Sequence, residues 1–565
     1  MEQPRFARWF WPSFAAFSVT VVLVAAVFWS HAHPYGIHWD EAEYLNAAGI
    51  DVQRLLSGHL LKLAGRILLI SWGRPPAFRL LALPFLALFG FHTFAARLVS
   101  LTCFALGSWY TYLAASRVSS RVAGAFAVLV FALSPEVISA NIFFSTDGPL
   151  YLATSAMLYY VFVCWRDASE HPKNWIGLGL AIGLGFMSKT SFAAIALPVL
   201  AFWFFVSHWG RRSIPSLASQ RKAGALALLV AGPWWALNVK SLFAYAQYAR
   251  GFSRNSLGPP SFMTWMRWLS TVLQGLLGHG ISILIGLLLL ACLVKVVVRR
   301  ETILDPFQKL ALGACACAGV PIVLAQLSGV NHLLRHISPA VIPLAITVGV
   351  LSDKTGWAYA WGSIAVSAIC FGVQLLMIVT PVVFPNDRAV DLGFVNTALP
   401  WRIMSRFDQW DWSPVREISD GCGIATPKIS FLGGGRTFDP PQIQYPWIVR
   451  EEATRHATLD YPEVTWLWRY EDGPLDWRKV MDSADRSDMV LTAPDYIGEV
   501  KNEEDLDNRY NAEFAGRLSL DSRFRGPIRL EMGRFEPVEM DVFLSKALVC
   551  HAGQGVVPAS VPSGQ

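Results

Sequence analysis

Apolar runs recur along the first 383 residues, separated by short polar segments. With their flanks they reach the roughly 17 to 25 residues that a helix needs to cross a bilayer. Eleven runs are read as spans: Phe14–Ser30, Phe94–Ala115, Val122–Ala140, Leu150–Trp165, Trp175–Ser188, Ser191–Ser207, Ala223–Val239, Leu273–Val298, Lys309–Ser328, Ile337–Leu351 and Trp357–Val383. The segment Phe78–Phe91 is apolar but short and interrupted by Arg79 and Pro84, so it reads as interfacial or re-entrant. Beyond residue 383 the pattern changes. β-rich stretches at Lys428–Leu432, Asp488–Thr492, Gly526–Glu531 and Met540–Leu544 alternate with polar, helix-like segments, which predicts a small α/β domain. The expected fold class is therefore an all-α polytopic membrane protein of about eleven transmembrane helices over residues 1–383, whose first outer loop is 31–76. A C-terminal extracytoplasmic α/β domain follows over 384–550, and a tail at 551–565, rich in Gly, Pro, Ser and Val, is expected to be disordered.

Charge sets the orientation. Residues 1–383 carry 27 Lys+Arg against 12 Asp+Glu, and the remainder 20 against 29. The basic excess is scattered over short loops rather than gathered in one patch, which argues against a nucleic-acid partner and for membrane lipids. Basic residues fall on alternate loops, at Arg117/Arg121, Arg166/Lys173, Arg211 to Lys222, Lys295 to Lys309 and Lys354. The positive-inside rule assigns those loops to the cytoplasm. Arg5 and Arg8 precede the first span and no small-residue cleavage site follows it, so it reads as an uncleaved anchor with a cytoplasmic N-terminus. The expected location is the inner membrane of a bacterium, with the loops 31–76 and 240–272 and the acidic tail outside. Six cysteines lie in apolar spans, leaving Cys422 and Cys550 in the tail. An oxidising compartment permits that pair to bridge, and spacing leaves it open whether it does. The histidines and cysteines show no clustered metal-ligand spacing, and no phosphate-cradling Gly loop or dinucleotide fingerprint is present.

Acids in the membrane half are scarce, and six of the twelve, Asp40, Glu41, Glu43, Asp51, Glu136 and Asp147, fall in or beside outward loops. Carboxylates at a membrane interface are costly and often functional. The densest group is His38-Trp39-Asp40-Glu41-Ala42-Glu43-Tyr44, at the start of a helical pattern. Asp40 followed by Glu43 also fits a capping box, although capping does not require the adjacent Glu41. Asp147, in Ser145-Thr146-Asp147-Gly148-Pro149, could simply cap the next span. Facing the same side are Arg74 in Trp72-Gly-Arg74-Pro-Pro76, Lys189 ending Gly183-Leu-Gly-Phe-Met-Ser-Lys189, and Arg335-His336 before Pro339. Any one cation could snorkel to lipid headgroups. Acids and three cations on one face instead suit a lipid-linked phosphate whose leaving charge must be neutralised.

The order Asp40-Glu41, Arg74-Pro-Pro, Asp147-Gly-Pro-Leu, Gly-Leu-Gly-Phe-Met-Ser-Lys189, Pro233-Trp-Trp and Arg335-His-x-x-Pro339 resembles the polyprenyl-phosphate-sugar-dependent glycosyltransferases of GT-C fold, over about residues 10–350. That family includes protein O-mannosyltransferases and the bacterial lipid A aminoarabinose transferase. The resemblance implies transfer of a monosaccharide, with inversion, from a polyprenyl phosphate carrier to an extracytoplasmic lipid, glycan or protein. Asp40 takes the place of the catalytic first-loop acid, and Asp147 that of the second-loop acid. Arg74, Lys189 and Arg335 take the places of phosphate contacts. Glu41 is placed with the catalytic acids, and Glu43, Tyr44 and His336 with the substrate contacts. Arg74 departs from the family's commoner Lys before Pro-Pro. With a hydroxyl acceptor, the resemblance leads to the expectation that Asp40 acts as general base. For an acceptor that is already an ionised phosphate, it orients the acceptor or a divalent cation, and no other cofactor is called for. The alternative reading is a multi-span lipid or glycan transporter, which should place ionisable groups mid-membrane rather than at the outer surface.

Overall fold

The structure is a computed structural model describing residues 5–32, 34, 39–69, 74–166, 171–209, 217–254, 262–298, 303–328, 334–355, 391–392, 395–396, 410–433, 438–454, 461–468, 473–496, 508–533, 538–548 and 550. It divides into two compact units that cut across chain order. One comprises residues 1–32, 64–82 and 97–404; the other comprises 33–63, 83–96 and 405–565.

The first unit is helical. In chain order the N-terminal half of the molecule runs α1 (Arg5–Ala32), α2 (Trp39–Leu56), α3 (Leu60–Leu69), α4 (Ala77–Phe89), α5 (Thr93–Val118), α6 (Arg121–Ala132), α7 (Pro135–Ile142), α8 (Asp147–Arg166) and α9 (Pro172–Ser188). It continues with α10 (Ala193–Trp209), α11 (Leu217–Arg254), α12 (Phe262–Val297), α13 (Pro306–Ser328), α14 (Leu334–Ile337) and α15 (Val341–Thr355). Among the described residues seven helices are long and apolar enough to cross a membrane, or eight with one bent pair. Ten of the eleven expected spans fall on helix; the eleventh, Trp357–Val383, lies outside the described residues.

The bent pair corrects a reading of continuous helix over 122–140. α6 and α7 meet at 66°. Ser134 leaves the helix and accepts from the Val137 N–H, and Pro135 occupies the first helical position, where its missing N–H costs nothing. The expected interfacial segment is a helix of 13 residues with Pro84 inside it, too short to span.

Small residues set how closely helices approach in this unit. A Cβ on Gly179 would lie 2.8 Å from the Ala223 carbonyl oxygen of α11, and one on Gly183 would lie 2.8 Å from Val230. These two positions, one turn apart on α9, let α9 and α11 pack backbone to backbone.

The second unit carries the mixed sheet. A two-residue ladder, β1 (Asp391–Leu392) with β2 (Val395–Asn396), precedes it in the chain. The sheet itself uses β3 (Lys428–Phe431), β4 (Glu463–Trp466), β5 (Met489–Thr492), β6 (Phe524–Glu531) and β7 (Glu539–Ser545) in the order β4-β3-β5-β7-β6. β3 pairs in parallel with β4 and β5, whereas β7 runs antiparallel to β5 and β6. The connecting helices are α16 (Ser413–Gly421), α17 (Pro440–Thr454), α18 (Trp477–Ala484) and α19 (Asn511–Leu520). All four predicted strands are present. Phe431, Met489, Leu491 and Val542 are fully buried on one face of the sheet, and Val490 and Phe543 on the other, where Phe514 of α19 packs against them, so helices cover both sides. Cys422, at the end of α16, is joined to Cys550 by a disulfide, which answers the question their spacing left open.

α2 belongs to this unit and lies along α17. The Asn46 side chain donates to the Pro441 carbonyl at 2.8 Å. A Cβ on Gly49 would come within 2.7 Å of the Phe91 ring and 3.0 Å of Ile448, so only glycine permits this approach.

Candidate functional site

In the first unit the structure gathers the second-loop acid and two of the expected cations. Asp147 opens α8, where the helix dipole favours a carboxylate, and its N–H donates to Ser145 Oγ at 3.1 Å. Gly148 beside it lies where a Cβ would meet Asn141 and the Ser100 backbone at 3.2 Å, which accounts for the glycine of Asp-Gly-Pro. Lys189 reaches this carboxylate from the end of α9. It leaves the helix in extended conformation (φ −154°, ψ 141°), and its N–H donates to the Gly185 carbonyl at 3.2 Å. The turn is tight because the Phe192 ring folds over Gly185, 2.3 Å from where a Cβ would stand. Lys189 Nζ donates to Asp147 Oδ1 at 2.6 Å, with Asp147 buried and Lys189 18% exposed. Arg335 and His336, both half-buried, add positive potential at the same carboxylate. Asp147, Lys189 and Arg335 together carry a net charge of +1, which suits an anion better than a cation.

The Arg74 motif sits beside this group. Ala77, three residues after Arg74, shares a buried cluster with Met187, Ala231 and Trp234. Phe78 packs edge-on against Phe144 at 5.7 Å between ring centroids. The Trp235 indole N–H donates to the Phe186 carbonyl at 3.0 Å. The Arg74-Pro-Pro, Lys189, Asp147 and Pro233-Trp-Trp motifs are therefore neighbours, and Arg74 is half-buried. Below them, α9, α10 and α11 enclose a groove of about 500 Å³ whose walls include Leu178, Ile182, Phe186, Leu200, Trp203 and Trp235.

Asp40, Glu41, Glu43 and Tyr44 belong to the second unit. The helix starts at Trp39, one residue before the expected cap, and puts Asp40 and Glu41 inside its first turn, both fully buried. Tyr44 is buried and Glu43 half-buried. α17 faces this stripe with an acid that the sequence reading did not single out. Asp439 caps α17, accepting from the Gln442 N–H at 3.0 Å, and its other oxygen is buried with no hydrogen-bond partner among the described residues. Burial pushes the Asp439 carboxyl well above the usual carboxylate range, and Asp40 and Glu43 push it further the same way. The signal was present in Asp439-Pro-Pro-Gln442, a helix-start pattern. What the pattern could not show is that the cap faces α2, about 395 residues away. Among the described residues no group of three or more His, Cys, Asp or Glu is placed to hold a metal ion.

Three kinds of similarity bear on this arrangement. Residues 73–236 match a family described as dolichyl-phosphate-mannose-protein mannosyltransferase. An undecaprenyl phosphate-alpha-4-amino-4-deoxy-L-arabinose arabinosyl transferase of Proteus mirabilis is 32% identical over 151 residues, 26% of this chain and 27% of that protein. A protein of the same name from Pseudomonas fluorescens is 27% identical over 274 residues, 46% of each chain. The matched stretch thus spans less than half the length of either relative. The crystal structure of ArnT from Cupriavidus metallidurans bound to undecaprenyl phosphate superposes with a TM-score of 0.57 at 17% identity, covering 95% of this chain and 98% of that one. That likeness shows a shared GT-C fold along nearly the whole molecule. The transporter alternative gains no support from any of these relatives, which are transferases.

Proposed function

We propose that this chain is a multi-pass glycosyltransferase of a bacterial inner membrane, taking a monosaccharide from a polyprenyl phosphate carrier and passing it to an acceptor outside the cytoplasm. The observation that carries this reading is the buried Asp147–Lys189 ion pair with Arg335 and His336 beside it, built on a frame shared with a transferase that binds undecaprenyl phosphate. Polyprenyl phosphate leaves as an anion, and Arg74, Lys189 and Arg335 are the groups that neutralise it as the anomeric C–O bond breaks. Asp147, held by Lys189 at 2.6 Å, orients that ammonium rather than abstracting a proton. The apolar groove between α9, α10 and α11 shares Phe186 and Trp235 with the motifs around Lys189, and it suits the carrier's isoprenoid chain.

The proton of a hydroxyl acceptor goes to Asp40 in this reading, with Glu41, Glu43 and Tyr44 arranging the sugar and acceptor. The relatives named for 4-amino-4-deoxy-arabinose transfer make an amino pentose the first donor to try. The disulfide between Cys422 and Cys550 supports an extracytoplasmic C-terminal domain, since such bridges persist in oxidising compartments, and with the odd number of spans read from the sequence that domain goes with a cytoplasmic N-terminus.

The test uses purified full-length protein and a synthetic polyprenyl phosphosugar. Asp40→Asn is expected to lower the rate about 10²- to 10⁴-fold with a hydroxyl acceptor, the usual range for loss of a general base. Arg335→Ala is expected to lower kcat/KM by roughly ten- to a hundredfold through lost charge-assisted binding. Full activity in both variants would remove the site from consideration.

A further inference from the structure

A hydroxyl pair buried one turn below Asp147 plays no part in the scheme above. Tyr151 follows Asp147 by four residues on α8, so both side chains leave the same face of the helix. Its hydroxyl lies 2.5 Å from Ser338 Oγ, and both residues are fully buried. Ser338 in turn donates to the Arg335 carbonyl at 2.8 Å. A serine hydroxyl has one proton to give, and here it goes to that carbonyl, so the bond with Tyr151 must run from the tyrosine O–H to Ser338 Oγ. The result is a directed chain, Tyr151 to Ser338 to the Arg335 backbone. Arg335 sits on a single helical turn, α14, that passes through a 3-10 turn at Ser338–Ala340 into α15. One turn of helix has little stability of its own, so its orientation depends on what ties it to its neighbours.

We infer that Tyr151 and Ser338 are positioning residues for the carrier's phosphate: by anchoring the turn that bears Arg335 to the helix that bears Asp147, they fix the guanidinium within electrostatic reach of the Asp147 carboxylate. The inference rests on the reading of Arg335 as a phosphate contact. α8 then works as a two-rung post, with Asp147 and Lys189 on the upper rung and Tyr151 and Ser338 on the lower. Tyr151→Phe removes the donor and leaves the ring, which packs edge-on against Phe131 at 6.1 Å, in place. A positioning role predicts weaker carrier binding with little change in the chemical step.

The probe is undecaprenyl phosphate without sugar, whose affinity for the full-length protein is measured in detergent alongside KM and kcat for a polyprenyl phosphosugar. Tyr151→Phe and Ser338→Ala are each expected to weaken binding about tenfold and raise KM in proportion, with kcat within about twofold, the loss of one buried hydrogen bond. Ser338→Thr, which keeps the hydroxyl, should bind as the unaltered protein does. Tyr151→Phe combined with Arg335→Ala should bind no more weakly than Arg335→Ala alone, because the anchor serves that guanidinium. An Arg335→Ala protein that binds undecaprenyl phosphate normally would sink the phosphate reading itself. Weak binding by Arg335→Ala together with normal binding by Tyr151→Phe and Ser338→Ala would overturn the anchor alone. So would additive losses in the double variant, or a fall in kcat with KM unchanged. Unfolding temperatures identify any variant that has failed to fold, and Ser338→Ala then replaces Tyr151→Phe, or the reverse.

Discussion

Lys189 and Asp147 illustrate how burial fixes what a side chain can do. Because Asp147 is withdrawn from solvent, removing Lys189 takes away its one directly bonded cation and leaves only Arg335 and His336 to offset the charge, at a cost of up to about 3 to 5 kcal/mol. Lys189→Met should therefore lower the unfolding temperature as well as abolish transfer. The double variant Asp147→Asn with Lys189→Met should recover the temperature but not the activity, which separates the pair's structural contribution from its chemistry. An equal unfolding temperature in the single and double variants would refute that separation. Asp439 gives a different signature. Its carboxyl binds a proton more tightly folded than unfolded, so stability is fully present below the ordinary value of 3.8 and falls as pH rises, until the folded group also ionises. Asp439→Asn keeps the cap oxygen and removes the titration. Its unfolding temperature should therefore gain on that of the unaltered protein as pH rises above 3.8, the ordinary carboxyl value. Parallel pH profiles would count against a buried, proton-holding Asp439.

Helices α9 and α11 show what the linear pattern could and could not convey. Their apolar runs announced two spans, but the motif beginning at Gly183 gave no reason for its glycines or for Gly179 one turn earlier; the reasons are Val230 and the Ala223 carbonyl of α11 against Gly183 and Gly179, and the Phe192 ring against Gly185. Gly179→Ala is expected to cost about 1 to 3 kcal/mol, because a backbone atom cannot give way. Gly224→Ala on α11, where no described atom lies within 4 Å of the added Cβ, should be neutral or gain up to about 1 kcal/mol of helix propensity. Thermal unfolding of the two variants in detergent checks the contrast, and similar values would contradict the close packing. The strands repeat the lesson. Lys428–Phe431 and Met489–Thr492 were legible as compact β-rich runs, whereas Glu463–Trp466 is a four-residue edge strand defined chiefly by its pairing to β3. In the candidate site, the order of motifs brought out Asp147, Lys189, Arg335 and His336. Asp439 escaped, because its capping pattern is local while its significance depends on contact with the first-loop helix.

Across the whole molecule, the division into units shows why chain order is a poor guide to assembly. Residues 33–63 and 83–96 fold with the C-terminal domain, although they are embedded in the span-bearing half of the sequence. The domain is therefore completed by pieces separated by several hundred residues, and a bond between Cys422 and Cys550, 128 residues apart, ties the end of α16 to the segment after β7. A loop of that length lowers the entropy of the unfolded chain enough to stabilise the domain by up to about 5 kcal/mol. Reducing agent should lower the unfolding temperature, and Cys422→Ala with Cys550→Ala should lower it equally and become indifferent to the reagent. A drop under reductant that persists in the double variant would implicate another thiol. The same bond turns the protein into a natural reporter of its own insertion. In living cells a thiol-capping polymer should add mass at these two positions only after reduction, and a strain deprived of its envelope thiol oxidase should leave both sulfurs open to the label, so a simple gel shift records which side of the bilayer the domain has reached.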